Sequence, residues 1–496
     1  MTTTAVNHAG LAHPDKFYID GEWVSPSSAA KINVVNPATE EIFLTVAEAQ
    51  AADINRAVAA ARHAFDHGPW PRMTHAQRAG YLREIAKKIA ARVDNLADIW
   101  SSEVGVVRKA SAMMPPRVAE TYAYYASLAD TFPFEERHTP KAGGNVGLLV
   151  REPVGVVAAI IPWNGPMALI AWKAAPALLA GCTVIIKASP EAPGEAYAMA
   201  EIMHEVGLPK GVFNVVTADR EVSELLVHHP DVDKITFTGS SAAGRKIASI
   251  CGSRIARCTL ELGGKSAAVI LDDYDLEKAA QTLSGSARIM TGQVCSSLTR
   301  IIVSRKRHNQ LLDAMGAAFS AIKVGDPFDN GVDMGPLAMA RQRDRVEHYI
   351  AKGIEEGATV ATGGKRPAHL NRGYFIEPTV FGNVDNNMTI AREEIFGPVV
   401  SVIPADSEEQ AVEIANDTVF GLNASVFTND ADRAYHVARQ LRSGTVGHNA
   451  WRTDFSIAFG GFKQSGIGRE GGTEGLLPFL EVKTVILDDE PAHLKS

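Results

Sequence analysis

Apolar and polar residues follow two rhythms along this chain. In "AADINRAVAAARHAF" and "AQRAGYLREIAKKIAARVDNLADIWSSEV" apolar side chains recur at three- and four-residue spacing among alanines, which predicts long amphipathic helices. Ahead of them, "FYIDGEWV" reads as a short aromatic strand turned at Asp20-Gly21, and the first 15 or so residues read as a loose polar arm. From residue 153 the rhythm changes. "VGVVAAIIP" is a continuous apolar run, as in a strand buried on both faces. "MALIAWKAAPALLA" is helical, "GCTVIIKAS" strand-like and "EAYAMAEIMHEVG" helical to Gly207, while "GVFNVV", "VSELLVHH", "KITFTGS" and "AAGRKIASI" continue strand, helix, strand, helix. The alternation resumes after residue 265 with "SAAVIL", "DLEKAAQTLSGSARIM", "TRIIVS" and "HNQLLDAMGAAFSAI". It returns in "GPVVSVIPA", "SEEQAVEIAND", "NASVFTN", "ADRAYHVARQL" and "GTVGHN".

Such alternation predicts an α/β protein with parallel sheets and crossover helices. Two α/β domains are expected to meet near residue 262, at "ELGGKS". Composition narrows the classes of function. The chain has 496 residues, 46% hydrophobic and 21% charged, and a formal net charge of −8 from 49 basic and 57 acidic residues. With no basic run to track a phosphate backbone, nucleic acid is not an expected partner. No apolar stretch reaches the roughly 18 residues of a membrane span, and the N-terminus carries no secretory signal pattern. The four cysteines, Cys182, Cys251, Cys258 and Cys295, form no CxxC and no zinc-site spacing, so no metal is expected. Few cysteines in a large chain fit a reducing compartment, and the expectation is a cytoplasmic protein.

Four short motifs carry candidate chemistry. "FTGSSAAG" places Gly239 and Ser240 between a strand and a helix, where unpaired N–H groups and the helix dipole attract a phosphate. "PWNGP" places Asn164 beyond the end of a buried strand, where its amide could donate to an oxyanion. "LELGGKS" places Glu261 at the end of an apolar strand, where burial would raise its pKa and suit it to act as a base. "TGQVCSS" holds Cys295. Each has a plainer reading when taken alone: a connecting turn, a turn asparagine, a structural ion pair and a small core residue.

Taken together, "PWN" (162–164), "AWK" (171–173), "VIIKAS" (184–189), "FTGS" (237–240), "LELGGKS" (260–266), "GQVC" (292–295), "EEIFGPV" (393–399) and "FGGFKQSGIGRE" (459–470) resemble the aldehyde dehydrogenase superfamily of the NAD(P)-dependent, non-acylating type, from about residue 17 to about residue 487. The resemblance implies a Rossmann-like cofactor domain (1–133 and 153–262), a catalytic domain (263–473) and a small β oligomerisation arm (134–152 and 474–496). It makes Cys295 the nucleophile, Glu261 the base that activates water, Asn164 with the Cys295 backbone N–H the oxyanion site, and Lys173 part of a proton relay. It places Lys187 and Ser189 at the adenosine end of the cofactor, Gly239 and Ser240 under the pyrophosphate, and Glu394 on the nicotinamide ribose with Gly263 alongside. Phe396 packs at the nicotinamide, and Ile161 and Trp163 line the cofactor cleft. The expected reaction is oxidation of a small aldehyde to the acid through a thiohemiacetal and a hydrolysed thioester. Leu169, Trp172, Trp451 and Phe455 are the expected substrate pocket, with Arg452 and Asp454 on the same loop.

The chain departs from the family pattern in four ways. Arg288 and Met290 stand where an aromatic and an asparagine are usual, and Pro190 stands where NAD-preferring members often carry glutamate, which leaves NADP open beside NAD. "VTADREV" replaces a glycine-rich turn near the adenine end, and the relay carboxylate after "GRE" falls at Thr473, with Glu474 beside it. A CoA-acylating semialdehyde dehydrogenase would not need Glu261, and a catalytically silent scaffold would not need Cys295, Glu261 and Asn164 together. "GGNVGLLVREP" (143–153) and "LEVKTVIL" (480–487) read as exposed strands. Free edges need partners, so a homodimer or a dimer of dimers is expected unless the two strands pair within one chain.

Overall fold

The computed structural model describes residues 6–492. Both ends of the chain, 1–5 of the expected N-terminal arm and 493–496 of the expected C-terminal arm, lie outside the described residues. The rest of the N-terminal segment is not loose: Asn7 bridges to Leu44, and Ala9 and Leu11 are buried. "FYIDGEWV" forms the hairpin Phe17–Ile19 and Glu22–Val24, closed by Asp20 and Gly21 at φ 57° and 75°. That is the left-handed two-residue turn whose twist matches paired strands.

Five parallel strands make the centre of the first sheet, in the spatial order Arg257–Glu261, Lys234–Thr238, Val156–Ile160, Thr183–Ala188, Phe213–Thr217. Numbered along the chain this order is 5-4-1-2-3, the doubly wound arrangement, and it reverses beside Val156–Ile160. The four strands from Val156 to Thr238 are buried at every residue, as continuous apolar runs covered on both faces should be. Helix Pro166–Ala180 is buried on all sides except at Trp172, which explains why its sequence shows no polar face.

The second sheet runs Thr359–Thr362, Thr379–Gly382, Val399–Ala405, Leu298–Ser304, Ser266–Ile270, Asn423–Phe427, Thr445–His448. All its pairings are parallel except the one between Thr359–Thr362 and Thr379–Gly382. Expected helix 275–290 stops at Ala287, and Met290, Thr291 and Gly292 follow at positive φ. A third, antiparallel sheet joins Leu480–Leu487, Val146–Pro153 and Glu135–His138. The two stretches read as exposed strands therefore pair with each other within one chain, from Leu480 opposite Pro153 to Leu487 opposite Val146. One edge of Leu480–Leu487 stays open, with Val482 and Ile486 exposed. Residues 474–479 do not leave with this arm: Leu476 and Phe479 are buried in the core of the first sheet. No helix among the described residues is long and apolar enough to cross a membrane.

Candidate active site

The site lies where the carboxyl ends of the first sheet meet the segments that lead into the second. Two glycines allow the contact. A Cβ on Gly264 would sit 2.3 Å from the Cys295 carbonyl oxygen, and one on Gly263 would sit 2.4 Å from the Glu394 carboxylate. Neither has a left-handed φ, so close approach is what requires them. The Gly264 N–H donates to Glu394 Oε1 at 3.0 Å, and burial pushes the Glu394 carboxyl up to about 7.

Cys295 follows the left-handed turn of Met290, Thr291 and Gly292. Thr291 Oγ1 bonds Gly335 O at 3.0 Å, and the buried Gln293 amide ties Met290 O (2.9 Å) to the Ala338 N–H (3.0 Å). These bonds hold a conformation that β-branched residues disfavour. Burial pushes the Cys295 thiol well above its ordinary range, and the Glu394 and Glu261 carboxylates add to the shift. The resting sulfur is therefore a thiol and needs a proton acceptor before it can attack. Asn164 reaches the same turn: its Nδ2 donates to Gln293 O at 3.0 Å, and the amide keeps a second N–H.

Glu261 ends the strand Arg257–Glu261, and both its carboxylate oxygens are buried without a hydrogen-bond partner. Burial raises its pKa well above the carboxylate range, and the nearby Glu470 raises it further against Lys173 and Arg469. Lys173 is fully buried; it donates to Thr238 Oγ1 at 2.7 Å and to Glu470 Oε1. The carboxylate on Lys173 is thus Glu470, and both Thr473 and Glu474 are exposed to solvent. Pairing of Phe459 with Glu470 turns that side chain inward before Gly471 and Gly472, both left-handed, carry the chain away. Glu470 is the last residue of "GRE", so the signal was present one turn earlier than the position read for it.

Trp163 meets Phe396 edge-on at 5.4 Å between ring centroids. The Ile161 side chain is 1% exposed and packs in the core of the first sheet. Burial draws the Lys187 amine down to about 8, against the pull of Glu191 and Asp219. Ser189 Oγ donates to Glu191, which also pairs with Arg341. A carboxylate therefore stands at this end of the site one residue after Pro190. Ser240 caps helix Ser241–Ser253 through Ala243 N at 3.3 Å. The N–H groups of Ser241 and Ala242 have no acceptor within the helix and suit a diphosphate.

On the other side of Cys295, Trp172 stacks on Phe455 at 3.4 Å and Phe455 on Phe459 at 4.6 Å. The Trp451 indole N–H donates to Ser296 O at 3.1 Å, and Leu169 is buried in the core of the first sheet. Arg452 and Asp454 are exposed, and Asp454 is occupied by the Ser456 N–H and hydroxyl. Arg288 is exposed and bonds Asp333, while Met290 packs with Trp100 and Trp163.

A doubly wound sheet with helix-capped strand ends, set against a buried carboxylate and a half-buried thiol and amide, has the architecture of a nucleotide-dependent enzyme. The chain belongs to the aldehyde dehydrogenase family, whose model matches residues 23–485. Geranial dehydrogenase of Castellaniella defragrans is 43% identical over 471 residues, covering 95% of this chain and 98% of that protein. The crystal structure of a Mycobacterium tuberculosis aldehyde dehydrogenase complexed with NAD+ is 45% identical, with TM-score 0.93 over 98% of this chain and 99% of that one. A Pseudomonas syringae aldehyde dehydrogenase C variant complexed with NAD+ and octanal is 40% identical, with TM-score 0.92 over 97% and 98% of the two chains.

Proposed function

We propose that this protein oxidises an apolar aldehyde to its carboxylic acid, with NAD as the hydride acceptor. The observation that carries this reading is the convergence of Cys295, the Asn164 amide and the unpartnered Glu261 carboxylate at one junction. The Cys295 thiol passes its proton to solvent water, and its sulfur bonds to the aldehyde carbon. The oxygen becomes an alkoxide held by the second Asn164 N–H and the Cys295 backbone N–H. NAD held by the cofactor residues would supply the hydride acceptor, and loss of hydride from that carbon leaves a thioester on Cys295. Glu261 then accepts a proton from water as the water attacks the thioester, and the acid leaves with the sulfur restored. Lys173 and Glu470, beside Glu261, give that proton a path onward.

Lys187, Ser189 and Glu191 form the adenosine end, and the Glu191 carboxylate supports NAD because it repels a 2′-phosphate. Trp163, Gly239, Ser240, Gly263, Glu394 and Phe396 form the rest of the cofactor path. The aromatic stack of Trp172, Phe455 and Phe459, with the loop charges turned outward, supports an apolar substrate. The names of relatives that act on geranial or were solved with octanal fit the same class. The open edges of Leu480–Leu487 and Thr445–His448 support a homo-oligomer, dimer or tetramer, in which one subunit's strand extends a neighbour's sheet. Four free cysteines support a reducing, cytoplasmic setting. The test is a panel of aliphatic, terpenoid and aromatic aldehydes read by NADH absorbance, with and without CoA. Free acid formed without CoA is expected; an acyl-CoA product, or no NADH at all, would sink the reading.

A further inference from the structure

An oxyanion donor acts on charge that develops only during reaction, so the aim of the Asn164 amide matters as much as its presence. The side-chain end of Asn164 is tied to Gln293 O. Its main-chain carbonyl lies two residues before the helix Pro166–Ala180, whose first bond is Leu169 N to Gly165 O at 3.1 Å. The helix therefore leaves the Asn164 carbonyl unclaimed. Its donor is the indole N–H of Trp100, 2.9 Å away and 64 residues earlier in the chain.

Trp100 is placed to hold rather than merely to fill. It sits in helix Val93–Val104 at 3% exposure, and its cluster includes Trp163 next to Asn164 and Met290 in the strained turn before Cys295. The same helix grips the neighbouring segment a second time: both carboxylate oxygens of Glu103 accept the Gly194 N–H, at 2.8 and 3.1 Å. One short helix thus braces the backbone on two sides of the cofactor cleft.

We propose that Trp100 is a positioning residue for the Asn164 amide. Its N–H pins the Asn164 carbonyl, and this fixes the rotation of the Asn164-Gly165 peptide and the line along which the side-chain amide meets the oxyanion. Without that donor the buried carbonyl loses its partner, and the peptide turns about Gly165 to find another. The inference rests on the reading of Asn164 as the oxyanion donor.

A double-mutant cycle tests it. Asn164→Ala is expected to lower kcat by about 10²–10³-fold. Trp100→Phe keeps the ring and removes the N–H; it should lower kcat about tenfold in the parent, a fraction of the loss of the donor itself. KM for aldehyde and for NAD should stay within about twofold, because binding does not pass through this bond. In the Asn164→Ala background Trp100→Phe should change kcat by less than about twofold. Should the phenylalanine variant fail to fold, 3-benzothienylalanine placed at position 100 keeps the indole shape with sulfur in place of N–H, and the same outcomes apply. Equal losses in both backgrounds, or no loss in the parent, would overturn the role of Trp100. An Asn164→Ala variant with unaltered kcat would instead overturn the oxyanion reading beneath it.

Discussion

In the sheet built around Val156–Ile160 the candidate residues follow their strands: Trp163 and Asn164 after Val156–Ile160, Gly239 after Lys234–Thr238, and Glu261 at the end of Arg257–Glu261. In the sheet built around Leu298–Ser304 most precede them: Gly263 before Ser266–Ile270, Cys295 before Leu298–Ser304, and Glu394 and Phe396 before Val399–Ala405, while Trp451 and Phe455 follow Thr445–His448. The carboxyl ends of this second sheet are not bare. A cavity of about 430 Å³ lies there among Asp272, Arg305, Lys306, Asp406 and Arg433. By topology alone it would be a ligand crevice. Its charges, however, are exposed and neutralise one another, with Lys306–Asp272 at 2.6 Å and Arg305–Asp406 at 2.5 Å. At the junction, by contrast, both Glu261 carboxylate oxygens are buried without a hydrogen-bond partner, and the half-buried Cys295 thiol is pushed up by desolvation and by the Glu394 and Glu261 carboxylates. Strand ends provide room for a site in either sheet, but only buried, unsatisfied groups have altered reactivity.

Four substitutions press on this contrast. Cys295→Ala should reduce turnover by at least about 10⁴-fold, since the covalent step has no substitute. Fluorescence titration should show NAD binding nearly intact, because the Cys295 sulfur acts on the aldehyde and is not among the groups that hold the cofactor. A variant that keeps a substantial fraction of the parent rate would remove the second sheet from the chemistry.

Glu261→Gln should slow deacylation by about 10²-fold while an initial burst of NADH survives. The pH dependence sharpens the same point. Glu261 is a base only when deprotonated, and burial with Glu470 nearby holds its pKa up, so turnover should fall as pH drops through that raised value. Glu470→Gln removes a negative neighbour, leaves Lys173 to favour the Glu261 carboxylate, and should move the acid limb of the kcat profile to lower pH. A limb that moves to higher pH, or does not move, would separate Glu470 from the base.

The smallest effect is expected at the other end of the second sheet. Arg305→Ala breaks an ion pair whose partners are 60% and 61% exposed. Such pairs contribute little, so kcat/KM should stay within about twofold and the thermal midpoint within ~1 °C. A loss of activity there would make the exposed cavity part of the working enzyme.

Much of the architecture was legible along the chain because burial on both faces leaves a local mark. "VGVVAAIIP", "GCTVIIKAS" and "KITFTGS" are apolar throughout and become fully buried parallel strands. Helix Met114–Thr131 leaves a weaker mark, since two prolines stand at its start, a position where proline costs a helix nothing. The end of the helix before Cys295 was read three residues late, since "RIM" continues the apolar spacing while the backbone has already turned left-handed at Met290. Of the site, Cys295, Glu261, Asn164 and Lys173 were marked by their motifs. Glu470 was misplaced, Glu191 was hidden behind Pro190, and Trp100 and Gln293 were not singled out.

What the sequence determined by itself was the set of elements and the residue types at their ends, because periodicity and apolar runs are short-range properties of a chain. The tertiary structure decided the pairings: Lys173 with Glu470 across 297 residues, Asn164 with Gln293 across 129, and Trp100 with Asn164 across 64. It also decided that Leu480–Leu487 closes on Val146–Pro153 within its own chain. The reactivity of Glu261 and Cys295 belongs to that second group. A carboxylate and a thiol shift from their ordinary pKa values only when folding takes water away and brings other charges near, and neither change is written in the residues beside them.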